Sequence, residues 1–164
     1  GLHRARDAGI PTHIIDHREI DRRTDFDGKL HGLIDNFEPG LVVLAGFMRI
    51  LGPDLTKHFL GRMINIHPSL LPDYPGLNTH ARVLADGVTE HGASVHFVTP
   101  QLDAGPIILQ RRIPVQADDT PTTLAKRVHQ CEYDIYPRAI AWFATGRLHL
   151  EASVAYLDGT PIND

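Results

Sequence analysis

The stretch Leu41-Val42-Val43-Leu44-Ala45-Gly46-Phe47 contains no charged or polar side chain. A strand with one wet face alternates apolar and polar residues, whereas an unbroken apolar run is the pattern of a parallel strand covered on both faces. Such a strand commits the chain to layers, with helices packed above and below a sheet. The rest of the sequence meets that demand by alternating helical and extended patterns.

Leu2, Ala5 and Ala8 have helical spacing from the first residue, and Gly9-Ile10-Pro11 stops that helix. Thr12–Ile15 is a short strand candidate. Phe26, Leu30, Leu33/Ile34 and Phe37 predict a helix from a Thr24 cap to Pro39-Gly40. Leu55 and Phe59 mark another, ended by Gly61. Within Arg62–His67, alternation puts Met63, Asn65 and His67 on one face and Ile64 and Ile66 on the other. Pro68 cannot continue a ladder, so His67 ends the strand. Residues 69–77 hold two prolines and a glycine and form a loop. A helix to Ala85 precedes a strand at Ala93–Val98, the turn Leu102-Asp103-Ala104-Gly105-Pro106 and a strand at Ile107–Val115. A long helix runs from a Thr120 cap with Pro121 at its first position to Gly146, kinked at Pro137. Residues 147–157 close the chain as a strand or hairpin. The expected fold is α/β, a mostly parallel open sheet with helices on both faces, built as one domain over residues 1–164. Ligands of such sheets bind beyond the carboxyl ends of the strands.

The 164 residues carry 16 Lys and Arg against 20 Asp and Glu, a net charge of −4, which argues against general nucleic-acid binding. The longest clean apolar run, Leu41–Met48, is eight residues, against the ~20 that span a bilayer. Cys131 is the single cysteine, which excludes an internal disulfide or a CxxC site and fits a reducing, cytoplasmic setting.

Asn65 and His67, two apart on one face at a strand end, either stabilise an oxyanion and shuttle a proton or form a satisfied polar pair. Asp103 either caps its own turn or holds the His67 imidazole and favours its charged form. Glu132, beside the apolar stripe Leu124, Val128, Cys131 and Ile135, and Arg23, before the first long helix, have solvated-surface readings on spacing alone. Arg111-Arg112 fits the exposed side of a strand. The 11 histidines show no HExxH pattern or accompanying carboxylate cluster, so no metal site is expected.

The motif Asn65-Ile66-His67-Pro68-Ser69-Leu70-Leu71-Pro72, followed by Tyr74-Pro75-Gly76 and Thr79-His80, resembles the signature of the glycinamide ribonucleotide formyltransferases. The resemblance extends through Ala45–Leu51, His91–Val98 and Leu102–Gln110, over essentially the whole chain. It implies a Rossmann-like formyltransferase fold and transfer of a formyl group from 10-formyltetrahydrofolate, as cosubstrate, to the amine of glycinamide ribonucleotide in purine synthesis. Asn65, His67 and Asp103 match the catalytic trio. Arg23, Met48, Arg49, Ile50, Leu51, Thr99, Pro100, Gln101 and Leu102, with Asn65 and Asp103, match folate-binding positions. His129, Gln130, Cys131 and Glu132 match the ribonucleotide-binding segment, with Glu132 at the amine. The implied partners are these two small molecules, with no nucleic acid or membrane and a homodimer left open.

The chain starts at Gly1 with helical spacing already under way and shows no glycine-rich phosphate turn. The resemblance implies an opening strand and a glycine-rich turn for the ribonucleotide phosphate, so the expectation is of a missing N-terminal strand and phosphate loop. Two alternatives follow: a formyltetrahydrofolate hydrolase, which shares the Asn-x-His and Leu-Asp-x-Gly-Pro core, and a non-catalytic folate-binding fragment. His67-Pro68-Ser69 and Tyr74-Pro75-Gly76 resemble the transferase more closely.

Overall fold

The computed structural model describes residues 1–162. The backbone divides into two units, residues 1–39 and residue 40 onward. In the first, α1 (Leu2–Asp7) ends at Gly9, which adopts a left-handed φ of +69°. Glycine takes that conformation without a side-chain penalty. Thr12–Ile15, expected as a strand, forms none, and no described strand pairs with it. Its β-branched residues favour extended backbone, but extension without a ladder partner leaves an irregular segment. Asp16 then caps a short 3-10 turn by accepting the Arg18 N–H at 2.9 Å. Helix α2 (Arg23–Asp35) starts one residue before Thr24 and carries the buried Phe26.

The second unit holds β1 (Val42–Leu44), β2 (Met63–His67), β3 (Glu90–Phe97) and β4 (Ile107–Pro114), side by side in that order. β1 and β2 are parallel, with Leu44 opposite Asn65. β2–β3 and β3–β4 are antiparallel. The α/β class stands, but the predominance of parallel pairing does not. Ser94, His96 and Gln110 give β3 and β4 a polar face, and antiparallel strands accommodate such a face where a doubly covered parallel sheet does not. β1 is also shorter than its apolar run, because Gly46 turns the chain at φ +64°. Val43, expected to be covered, is 39% exposed.

The apolar face carries Ile64, Ala93, Val95, Phe97 and Ile108 into one core with Leu124, Val128, Ile135 and Ala139 of α5 (Pro121–Ala144). Helix α4 (Thr79–Ala85) adds Val83 to it. α5 begins as the sequence predicts: Thr120 accepts the Thr123 N–H, with Pro121 next to it. The helix continues unbroken through Pro137. Helix α3 (Pro53–His58) buries Leu55, and Phe59 is fully buried just beyond it. The expected closing hairpin is β5 (Leu148–Glu151) and β6 (Val154–Leu157), extended by β7 (Thr160–Pro161) into a second antiparallel sheet. No described helix is long and apolar enough to cross a membrane.

Candidate active site

Alternation along β2 sends Ile64 toward α5 and leaves Asn65 and His67 on the opposite, polar face. Antiparallel pairing then sets His96 against Asn65 and Ser94 against His67. Asn65 Nδ2 lies 3.2 Å from His96 Nε2, and His96 Nδ1 lies 2.9 Å from the Phe97 carbonyl oxygen. A carbonyl only accepts, so Nδ1 carries the ring proton and Nε2 receives the Asn65 amide. Burial pushes the His96 pKa down, which preserves this neutral form.

Asp103 sits at φ +49° in the turn that follows β3. Its Oδ2 accepts the Gly76 N–H at 2.8 Å and lies 3.5 Å from His67 Nδ1, while Oδ1 lies 3.8 Å from His96 Nε2. The carboxylate thus stands beside His67, the second of the two placements the sequence leaves open for Asp103. The other ring nitrogen, His67 Nε2, donates to the Tyr74 carbonyl at 2.9 Å. Two backbone groups of one loop therefore hold His67 and Asp103. That loop is itself clamped to the polar face of the sheet. Ser94 Oγ donates to the Ser69 carbonyl at 2.6 Å and accepts the Leu71 N–H at 3.0 Å, while Gln110 Nε2 bonds both Ser94 Oγ and the Leu71 carbonyl at 2.8 Å.

A cleft opens beside this group. Arg49, Ile50 and Leu51 line it from one segment, Thr99, Pro100, Gln101, Leu102 and Asp103 from another, with Asn65 and His96 between them. These include nine of the residues expected at a folate site. Met48 is 73% exposed and is not among the lining residues, and Arg23 belongs to the first unit, 3.7 Å from Asp27. His67 does not line the cleft either; Asp103, which contacts it, does.

On α5, His129 Nε2 and Glu132 Oε2 are 3.9 Å apart, and burial raises the Glu132 pKa more than His129 lowers it. Cys131 does not join them. It faces the core, 7% exposed, with its Sγ on the Arg127 carbonyl, because it shares the helical stripe of Val128 and Ile135. Burial also pushes its thiol pKa up. Gln130 is exposed, roughly 160° around the helix from Glu132 at ~100° per residue. The residues that sequence reading missed are His96, Ser94 and Gln110, together with the backbone groups of Tyr74 and Gly76. The spacing of Ser94 and His96 on β3 repeats that of Asn65 and His67 on β2, and the antiparallel pairing sets the two pairs face to face.

Comparison with known proteins gives a consistent result. Residues 1–140 match the family described as formyl transferase. A phosphoribosylglycinamide formyltransferase from Escherichia coli is 53% identical over 159 residues, 97% of this chain and 75% of that protein. The structure of a phosphoribosylglycinamide formyltransferase from Coxiella burnetii, in complex with CHES, is similar with a TM-score of 0.93 at 57% identity, covering 99% of this chain and 77% of that one. A formyltetrahydrofolate deformylase from Pseudomonas syringae is more distant, with a TM-score of 0.85 at 26% identity over 95% of this chain and 52% of that one.

Proposed function

Because the chain belongs to the formyl transferase family, we propose that it transfers the formyl group of 10-formyltetrahydrofolate to the amine of glycinamide ribonucleotide, a step of purine biosynthesis. The observation that carries this reading is the Asp103 carboxylate. It lies at the cleft wall, 3.5 Å from His67 Nδ1, with Asn65 beside it in the same cleft.

The chemistry follows from the groups present. Attack of the amine on the formyl carbon generates a tetrahedral oxyanion. One N–H of the Asn65 amide is directed to His96, and the second is left to donate to that oxygen. A well-aimed donor of this kind contributes about 3 kcal/mol to the transition state. His67 reaches the oxyanion by giving up one of its two contacts, and the one to Asp103, at 3.5 Å, is the longer. Asp103 stays in place through the Gly76 N–H. Collapse of the oxyanion breaks the bond from the formyl carbon to N10 of the folate, and the attacking amine sheds a proton as N10 gains one, relayed through His67 or an ordered water. Glu132, half-buried on α5, is the proposed contact of the substrate amine. Arg49–Leu51 and Thr99–Asp103 hold the folate. The net charge of −4 and the lone buried cysteine support small-molecule partners and a cytoplasmic setting.

The test is to mix the protein with 10-formyltetrahydrofolate, with and without glycinamide ribonucleotide. Consumption that depends on the ribonucleotide supports the transferase. Consumption without it supports the hydrolase, to which the distant deformylase likeness points. Binding without consumption supports a folate-binding module.

A further inference from the structure

Tyr136 lies on α5, one turn beyond Glu132, and is 8% exposed. Its hydroxyl donates to the Leu44 carbonyl at 2.7 Å and stands 3.1 Å from the Ile64 carbonyl, so its single hydrogen is shared between two adjacent parallel strands. Both acceptors belong to strands that reach the cleft. Leu44 lines it at the end of β1, and Ile64 precedes Asn65 by one residue.

Most of what joins α5 to the sheet is apolar: Leu124, Val128, Ile135 and Ala139 pack on Ile64, Val95 and Phe97. Apolar burial is non-directional, so it holds a helix on a sheet without fixing its rotation or its position along its own axis. A buried hydroxyl with two fixed acceptors does fix them.

We propose that Tyr136 is a positioning residue that sets the helix bearing Glu132 against the strand bearing Asn65, and so aligns the amine with the formyl carbon. This rests on the transfer reading above. Misplacing reacting groups by ~1 Å costs up to about 10²-fold in rate, so a small rotation of α5 is enough to matter.

The experiment compares Tyr136→Phe with Ile135→Val in the full-length protein, each normalised to folded protein by near-UV circular dichroism. Ile135 is a core residue of the same helix and does not line the cleft. Two rates are read for each variant: formyl transfer to the ribonucleotide and formyl loss to water as formate. Y136F is expected to lower kcat for transfer about tenfold, with both KM values within twofold. The ratio of transfer to hydrolysis falls with it, because water needs no alignment by α5. I135V leaves that ratio unchanged. Y136F transfer equal to wild type per folded molecule, or transfer and hydrolysis reduced by the same factor, overturns the positioning role. If Y136F yields too little folded protein, Tyr136→His, which retains a ring donor, replaces it with the same readouts. Wild-type protein that moves no formyl to the amine overturns the transfer reading and this role with it; the other negative results overturn this role alone.

Discussion

Asn65 and His96 face each other across the β2–β3 ladder, 3.2 Å from amide nitrogen to Nε2. Because the Phe97 carbonyl fixes the proton of His96 on Nδ1, the imidazole can only accept at Nε2. The amide of Asn65 therefore cannot turn its oxygen toward His96 without losing this bond. A neutral, buried histidine thus sets the direction in which Asn65 presents its remaining N–H.

Asn65→Ala removes the oriented donor while leaving the cleft walls intact. Turnover is expected to fall on the order of 10²-fold, with affinity for a folate analogue changed by less than about threefold. Steady-state kinetics and fluorescence titration check the two halves separately, and near-wild-type turnover removes Asn65 from the mechanism.

Asp103→Asn keeps an oxygen to accept the Gly76 N–H but removes the charge beside His67 and His96. The loop stays docked, so folate affinity is expected to hold. Turnover falls by about 10²-fold or more, the scale of a disabled general acid–base step. A variant that loses folate affinity as much as turnover would place Asp103 in binding rather than catalysis.

Ser94→Ala strips three hydrogen bonds from a fully buried position and leaves the Leu71 N–H without its acceptor. An orphaned buried donor costs about 1–3 kcal/mol. In a chain of this size that lowers Tm by roughly 2–4 °C per kcal/mol. Because the clamped loop supplies the Tyr74 carbonyl and the Gly76 N–H, turnover should drop as well. Calorimetry and kinetics on S94A and Gln110→Ala together test the clamp, and unchanged Tm and turnover in both would remove it.

Parts of this site were legible in the sequence for a physical reason. Alternation fixes sidedness within a strand, so Asn65 and His67 could be placed on one face without knowing the neighbours. The same alternation in β3 pairs Ser94 with His96, but only strand direction decides which of them meets Asn65, and direction depends on the whole topology. The helical stripe through Leu124, Val128, Cys131 and Ile135 already marked Cys131 as a core residue, which the structure shows it to be. Tyr74 and Gly76 act through backbone atoms, which every residue possesses, so residue type could not reveal them. The apolar residues of Thr12–Ile15 suggested a strand, because propensity is local whereas a ladder requires a partner.

Gly105 adjoins the site through its lack of a side chain. A Cβ there would collide with the Phe97 carbonyl oxygen, the same oxygen that fixes the His96 tautomer. Gly105→Ala must therefore push β3 from the Asp103 turn. Overpacking of this kind costs about 1–3 kcal/mol. Activity per folded molecule should fall well beyond what the stability loss explains, as measured by kinetics at a temperature where the variant remains folded. Wild-type turnover in G105A would show that the His96–Phe97 contact can be spared.

The last prediction concerns pH and stability. His91 is almost fully buried, with Nε2 3.0 Å from His80 Nδ1, and burial holds its pKa at about 4 against an ordinary value of 6.5. His80 is lowered in the same direction, again mainly by burial, and the pair cannot both carry charge at that separation without repulsion. In the unfolded chain His91 takes up a proton as pH falls through 6.5, while in the folded chain it stays neutral until about 4. The unfolded state therefore binds more protons throughout that window, and stability rises with pH across it. The contribution is fully present above pH 6.5 and is lost progressively on acidification toward 4, to a total of about 3 kcal/mol. Urea denaturation at pH 7.5, 6.0 and 5.0 should show the midpoint falling with each step. His91→Gln, which retains a hydrogen-bonding group near Nε2 but does not titrate, should flatten that slope even if it lowers stability at pH 7.5. A midpoint independent of pH in the wild type, or an equal slope in H91Q, would show that the buried pair does not govern acid stability.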